Sequence, residues 1–90
     1  MDTVAFLEKY KLSTIEYKVA EYVEKHSFVN GWCNTTKKQI AKELNVNIVY
    51  TFTMISRLIQ KGLLRKNKFS KHLQVTELWY QEQDRETPSN

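Results

Sequence analysis

Nine cations (Lys37, Lys38, Lys42, Arg57, Lys61, Arg65, Lys66, Lys68 and Lys71) fall between residues 34 and 72, where Glu43 is the only acid, so that block carries +8. Residues 1–33 hold four basic against five acidic residues (−1), and residues 73–90 hold one against four (−3). The overall charge of +4 therefore conceals a concentration in the middle of the chain. Charge gathered in this way inside a folded domain points to a polyanionic partner. The same pattern also describes a solvated lysine-rich surface, and lysines on an exposed strand guard against edge pairing.

Few other groups offer chemistry. The chain has one Cys and two His, too few for a four-ligand zinc site within one chain, and it can form no internal disulfide. It has no glycine-rich phosphate loop, no His-Glu metal pair and no Ser-His-Asp set. No catalytic residue, metal, cofactor or small-molecule ligand is indicated, and so small a domain leaves little room for a deep pocket. Glu16 and Glu24 read as solvent-facing charges. His26 falls at a helix end, where partial positive charge suits the dipole. Asn34-Thr35-Thr36 matches a glycosylation acceptor, but no secretory leader is recognised and the match is assigned to chance. Cys33 has two readings: a buried, inert thiol, or an exposed one paired with its symmetry mate in an intermolecular disulfide.

Ninety residues make one domain, and 41% apolar with 27% charged residues is a globular balance. No apolar run approaches the roughly 20 residues of a membrane span, and the expected compartment is the cytoplasm. The domain is expected over residues 1–83, with 84–90, which includes Pro88, as a disordered tail.

The elements that must position the charges are marked by local signals. A short helix is expected over 2–10, capped by Asp2 or Thr3, with Val4 and Leu7 on one side. Ser13-Thr14-Ile15-Glu16 is a capping box, with Leu12 and Tyr17 at its hydrophobic staple. Ile15, Val19, Tyr22 and Val23 then form one apolar stripe of a helix to about His26. Asn30-Gly31 marks a turn, and Trp32-Cys33-Asn34 a very short strand. Thr36 to Gln39 reads as a second capping box, opening a helix to Leu44 with Ile40, Ala41 and Leu44 inward. Asn45 suits the helix exit and Asn47 the next N-cap. A further helix runs from Ile48 to Lys61 with Thr51, Ile55, Leu58 and Ile59 inward, and Gly62 sits at its end. Leu63–Phe69 and Leu73–Val75 read as strands of a basic hairpin turning at Ser70-Lys71-His72. Thr76-Glu77 opens a last helix carrying Leu78, Trp79 and Tyr80.

This order, together with Leu44-Asn45-Val46-Asn47 and the run Arg57-Leu58-Ile59-Gln60-Lys61-Gly62-Leu63-Leu64, resembles the winged-helix variant of the helix-turn-helix. Leu73-Gln74-Val75-Thr76-Glu77 resembles the wing exit of MarR-like regulators. The chain is also similar in size to small winged-helix regulators encoded by viruses and plasmids of archaea and bacteria. The resemblance covers about residues 13–80. It implies a mainly α (α+β) fold: a three-helix core, a C-terminal hairpin wing and short terminal helices. It further implies sequence-specific binding of double-stranded DNA, with transcriptional regulation by a homodimer. Two departures stand out. Asn45 replaces a frequent Gly, and Ile48, Val49, Tyr50 and Phe52 make the outer face of helix 48–61 unusually apolar. That face keeps a protein-interaction module open as a second reading. A replication or packaging accessory factor would share the DNA-binding surface.

In the helix-turn-helix arrangement the second helix enters the major groove, which makes Asn47, Val49, Tyr50, Phe52, Thr53 and Arg57 its candidate contacts. Asn47 has two jobs open to it, pairing with adenine or capping its helix. Arg57 reaches a guanine or a phosphate, and Val49 or Phe52 packs on a thymine methyl or on a neighbouring helix. Thr36, Lys37 and Lys38, at a helix N-terminus, suit phosphate. Arg65, Lys66, Lys68, Lys71 and His72 populate the wing, with Lys66 and Lys68 on one face and Arg65 on the other. Val4, Leu7, Leu78 and Trp79 are left over after the three-helix core is filled and are expected at the dimer interface.

Overall fold

The computed structural model describes residues 3–28 and 31–83. Within them lie five helices and one antiparallel hairpin: α1 (Thr3–Tyr10), α2 (Thr14–Lys25), α3 (Lys37–Leu44), α4 (Ile48–Gln60), β1 (Leu64–Lys66), β2 (Leu73–Val75) and α5 (Glu77–Glu82). It is a small, mainly helical α+β architecture. The expected tail at 84–90, the Asp2 cap and the Asn30 half of the turn lie outside the described residues.

Helix starts follow side-chain chemistry. Ser13 Oγ accepts the Glu16 N–H at 3.2 Å, and Glu16 Oε1 accepts the Ser13 N–H at 3.0 Å, a complete capping box on α2. On α3 only half of the expected box forms. Thr36 Oγ1 accepts the Gln39 N–H at 3.1 Å, while the Gln39 amide donates forward to Glu43 at 3.3 Å. Asn47 Oδ1 caps α4 by accepting the N–H groups of Val49 (2.7 Å) and Tyr50 (3.4 Å). Thr76 precedes α5 without capping it; its hydroxyl donates instead to the Gly62 carbonyl.

Three helix ends repeat one device. Lys11, Asn45 and Gly62 stand in the left-handed region at φ 54°, 56° and 79°. After each, the N–H of an apolar residue returns to a carbonyl five residues back: Leu12 to Leu7, Val46 to Ala41, Leu63 to Leu58. The motif closes the last turn and drives that apolar residue against the core. It therefore sets the sharp exits that fold α1 onto α2, α3 onto α4 and α4 onto the hairpin.

The hairpin pairs Leu64 with Val75, Arg65 with Gln74 and Lys66 with Leu73. Cys33 bridges Leu73 from the other side, its N–H donating at 2.7 Å and its carbonyl accepting at 3.0 Å. The expected short strand around Cys33 is thus a single bridge. The paired strand ends at Lys66, well short of Phe69; one further bond in the same register, from the Asn67 N–H to the His72 carbonyl at 3.0 Å, closes the loop. Strand alternation consequently does not extend to Lys68.

The core is filled by Val19, Val23, Ile40, Met54, Ile55, Leu58, Leu63, Leu64, Leu73 and Val75. In α4 the expected inward stripe is corrected at one position: Met54 is buried, whereas Ile59 lies at the surface. In α1 the buried residue is Phe6, and Val4 faces solvent. The two terminal helices are joined by rings. Phe6 lies 5.6 Å from Trp79 at 84° and 5.7 Å from Tyr17 at 75°, edge-to-face geometries that favour the quadrupoles. Lys9 and Glu82 add a 3.0 Å ion pair between α1 and α5.

This arrangement overturns the expectation for Trp79. Its side chain is 0% exposed, and its indole N–H donates to Glu24 Oε1 at 3.1 Å, so it fills its own subunit's core instead of waiting for a partner's. Leu7 and Leu78 are half-buried against the same core. Glu24 is accordingly no free surface charge. Glu16, also expected in solvent, is 4% exposed, because its capping bond draws the carboxylate under the helix start. Cys33 is enclosed, which excludes the intermolecular disulfide in this conformation and leaves the inert thiol.

Candidate nucleic-acid interface

Three segments bring their cations to one place. Lys37 and Lys38 lie in the first turn of α3, Lys66 ends β1, and Lys71 stands in the hairpin loop. All four line a cavity of about 290 Å³, together with Thr36, Asn34 and Thr35, and with Ile48 and Phe52 of α4 as its apolar wall. The Lys37 ammonium sits 5.2 Å from the centroid of the Phe52 ring, a cation–π distance. Among the described residues, the ion pairs are Lys9–Glu82 and Lys25–Glu21; no acid pairs with any of these four lysines. Burial lowers the pKa of Lys37 from its ordinary value, and the charges of Lys66 and Lys71 push in the same direction.

The outer face of α4 adjoins that cavity. Val49, Tyr50, Phe52, Thr53 and Arg57 are all exposed, Val49 at 67%. The Thr53 hydroxyl donates back to the Val49 carbonyl at 3.3 Å, a bond that water or a ligand can readily replace. Asn47 is different. Its side-chain oxygen is committed to the cap, which leaves only the amide N–H groups for any partner.

The far side of the hairpin presents a second, shallower groove lined by Trp32, Arg65, Lys66, Asn67, Lys68 and Phe69. Arg65 and Lys68, expected on opposite faces, share this groove, and Lys66 lines both sites. The loop is held by its own side chains: Asn67 Oδ1 accepts the Phe69 N–H at 2.7 Å, and Ser70 Oγ accepts the His72 N–H at 3.2 Å. His72 itself is half-buried. Phe69 stands out from the loop at 96% exposed.

Sequence reasoning named the cations and the apolar face of Ile48 and Phe52, and missed Trp32 and Phe69 of the second groove. Both stand beside turn or charged residues in the chain, and an aromatic in the turn of a basic hairpin was the available signal. No protein family, no curated protein and no solved structure matches this chain. Among the described residues there is also no cluster of His, Cys, Asp and Glu able to hold a metal, and no helix long and apolar enough to cross a membrane.

Proposed function

We propose that this chain is a winged-helix protein that binds double-stranded DNA in a sequence-dependent way and regulates transcription as a homodimer, without catalysing a reaction. In this reading α4 enters the major groove, and the hairpin, residues 64–75, lies on the backbone or in the minor groove. The observation that carries it is the convergence of Lys37, Lys38, Lys66 and Lys71, from three segments and with no paired acid, beside the exposed face of α4. Four unpaired ammonium groups in one place are unfavourable alone and suit a row of phosphates. Tyr50, Thr53 and Arg57 then supply the groups that read base edges, and Val49 and Phe52 the contacts to thymine methyls.

The homodimer needs an interface other than the one Trp79 was expected to make. Exposed Val4 and half-buried Leu7 and Leu78, on the two terminal helices, are its proposed contacts. Sedimentation at micromolar concentration tests it: twice the 10.7 kDa chain mass is expected, and a monomer both free and on DNA rejects it.

Fluorescence anisotropy against random and selected duplexes at several salt concentrations tests the DNA reading. With about five phosphates contacted per subunit, log affinity falls against log salt with a slope near −4 to −5. A flat salt response rejects it. It would favour the second reading, a protein-interaction module, which the exposed run Ile48-Val49-Tyr50 with Phe52 specifically supports.

A further inference from the structure

The cavity between α3, α4 and the hairpin has two characters at once. Its rim carries four ammonium groups, and its wall carries Ile48 and the Phe52 ring. A duplex backbone uses the first and not the second. Its phosphates stand on an outer ridge and its bases are stacked, so a duplex offers Phe52 at most a thymine methyl or a base edge; a base ring would first have to be flipped out of the stack. A free molecule that joins phosphate to a ring can use both. The volume, about 290 Å³, is near the lower end of the roughly 300–1,000 Å³ of small-ligand pockets, which suits a mononucleotide and not an extended cofactor.

The backbone adds donors. Lys37 and Lys38 are the first two residues of α3, so their N–H groups have no carbonyl one turn earlier, and Thr36 spends its hydroxyl on Gln39. The first turn of α3, which carries these N–H groups, and four lysines thus border one space whose lining includes no carboxylate. Lys37, drawn over the Phe52 ring, holds the cationic and aromatic parts of the site together.

We propose that this cavity binds a free mononucleotide, with its phosphates on Lys37, Lys38, Lys66 and Lys71 and its base against Phe52 and Ile48. Occupation neutralises the cations that DNA would use, so the nucleotide displaces duplex; this second step rests on the DNA-binding reading.

Calorimetric titration of the full chain with ADP, pyrophosphate and adenosine at low salt tests the site. ADP is expected to bind most tightly, pyrophosphate about tenfold more weakly, and adenosine not measurably. Phe52→Ala should bring ADP down to the level of pyrophosphate. Lys66→Gln with Lys71→Gln should weaken both by about tenfold or more, whereas Lys18→Gln, on α2 outside the cavity, should change neither. Circular dichroism checks that each variant is folded. The proposal is overturned if ADP binds no better than pyrophosphate, or if Lys18→Gln costs as much as the cavity variants, which would mean diffuse charge. Duplex binding without ADP binding overturns it too and leaves the DNA reading standing. ADP binding without duplex binding upholds the site and rejects the DNA reading. Both binding at once, without competition, rejects the displacement step.

Discussion

The ammonium of Lys37 lies 5.2 Å from the centre of the Phe52 ring, joining the first turn of α3 to the outer face of α4. The contact holds a cation in a half-buried place between Lys66 and Lys71, where burial and those two charges lower its pKa below 10.5. A lowered pKa in the fold means that the charged form is less stable there than in the unfolded chain. The cost is present at neutral pH, and between the lowered value and 10.5 stability rises with pH as the folded chain sheds its proton first. Lys37→Gln is therefore expected to melt at the same temperature as the parent or higher, while binding polyanions more weakly. Thermal melts and anisotropy on one preparation check both. A melting temperature that falls by several degrees would show that Lys37 supports the fold.

Asn47 caps α4 through its side-chain oxygen, so its removal should be felt first in stability. Asn47→Ala is expected to cost about 1 kcal/mol, which for a domain of this size lowers the melting temperature by roughly 4–8 °C. Asn47→Ser keeps a capping oxygen and should recover most of it. If Asn47 also pairs with adenine, the Ser variant will be stable yet altered in sequence preference. An unchanged preference assigns Asn47 to the cap alone.

Trp79 packs against both Phe6 and Tyr17, with its N–H on Glu24. Trp79→Ala should cost about 3–5 kcal/mol, a large part of the stability of a small domain, and it should do so at every protein concentration. Denaturant unfolding at two concentrations tenfold apart is the measurement. A loss that appears only on dilution would return Trp79 to a subunit interface. Glu24→Gln retains an oxygen acceptor for the indole and should cost much less.

The elements were legible wherever a short-range signal has one meaning. Ser13 with Glu16, Asn45, Asn47 and Gly62 each fixed a helix end to within a residue, because caps and left-handed exits depend on the backbone beside them. Lys11 takes the same left-handed exit without any such preference, so nothing in the chain announced it. The placement of Trp79 was illegible for another reason. An apolar residue left over from one helical stripe is equally suited to a partner chain and to a distant helix of its own. Only the pairing of α1 with α5, more than seventy residues apart at Lys9 and Glu82, decides between them. The cations of the site were legible as charge. Their convergence was not, because it depends on Lys66 ending its strand and on the loop bringing Lys71 back toward α3.

Tyr22 and Glu43 provide a test of the scaffold beneath that site. Tyr22 is buried on α2, stacked on His26 at 3.8 Å between ring centres, and its pKa is pushed up to about 12, first by burial and then by its hydrogen bond with Glu43. The same bond, with a second from Gln39, holds the Glu43 carboxyl below its usual range. The two shifts act in opposite windows. The tyrosine contribution is complete below about pH 10, where the unfolded chain's tyrosine ionises, and is lost as pH rises toward 12. The glutamate contribution is present above its ordinary value of 4.5 and is lost as pH falls through the lowered one. Absorbance of tyrosinate during alkaline titration should show an ionisation at about pH 12, later than that of Tyr10, which burial also pushes up, and Tyr22→Phe should remove it. The same variant should return Glu43 toward its usual pKa and flatten part of the acid-side loss of stability. If every tyrosine has ionised by about pH 11 while circular dichroism still reports a folded chain, the Tyr22 hydroxyl is open to solvent. The tie from α2 to α3 would then be absent, and the first turn of α3, with Lys37 and Lys38, would lose one of the contacts that aim it at the cavity.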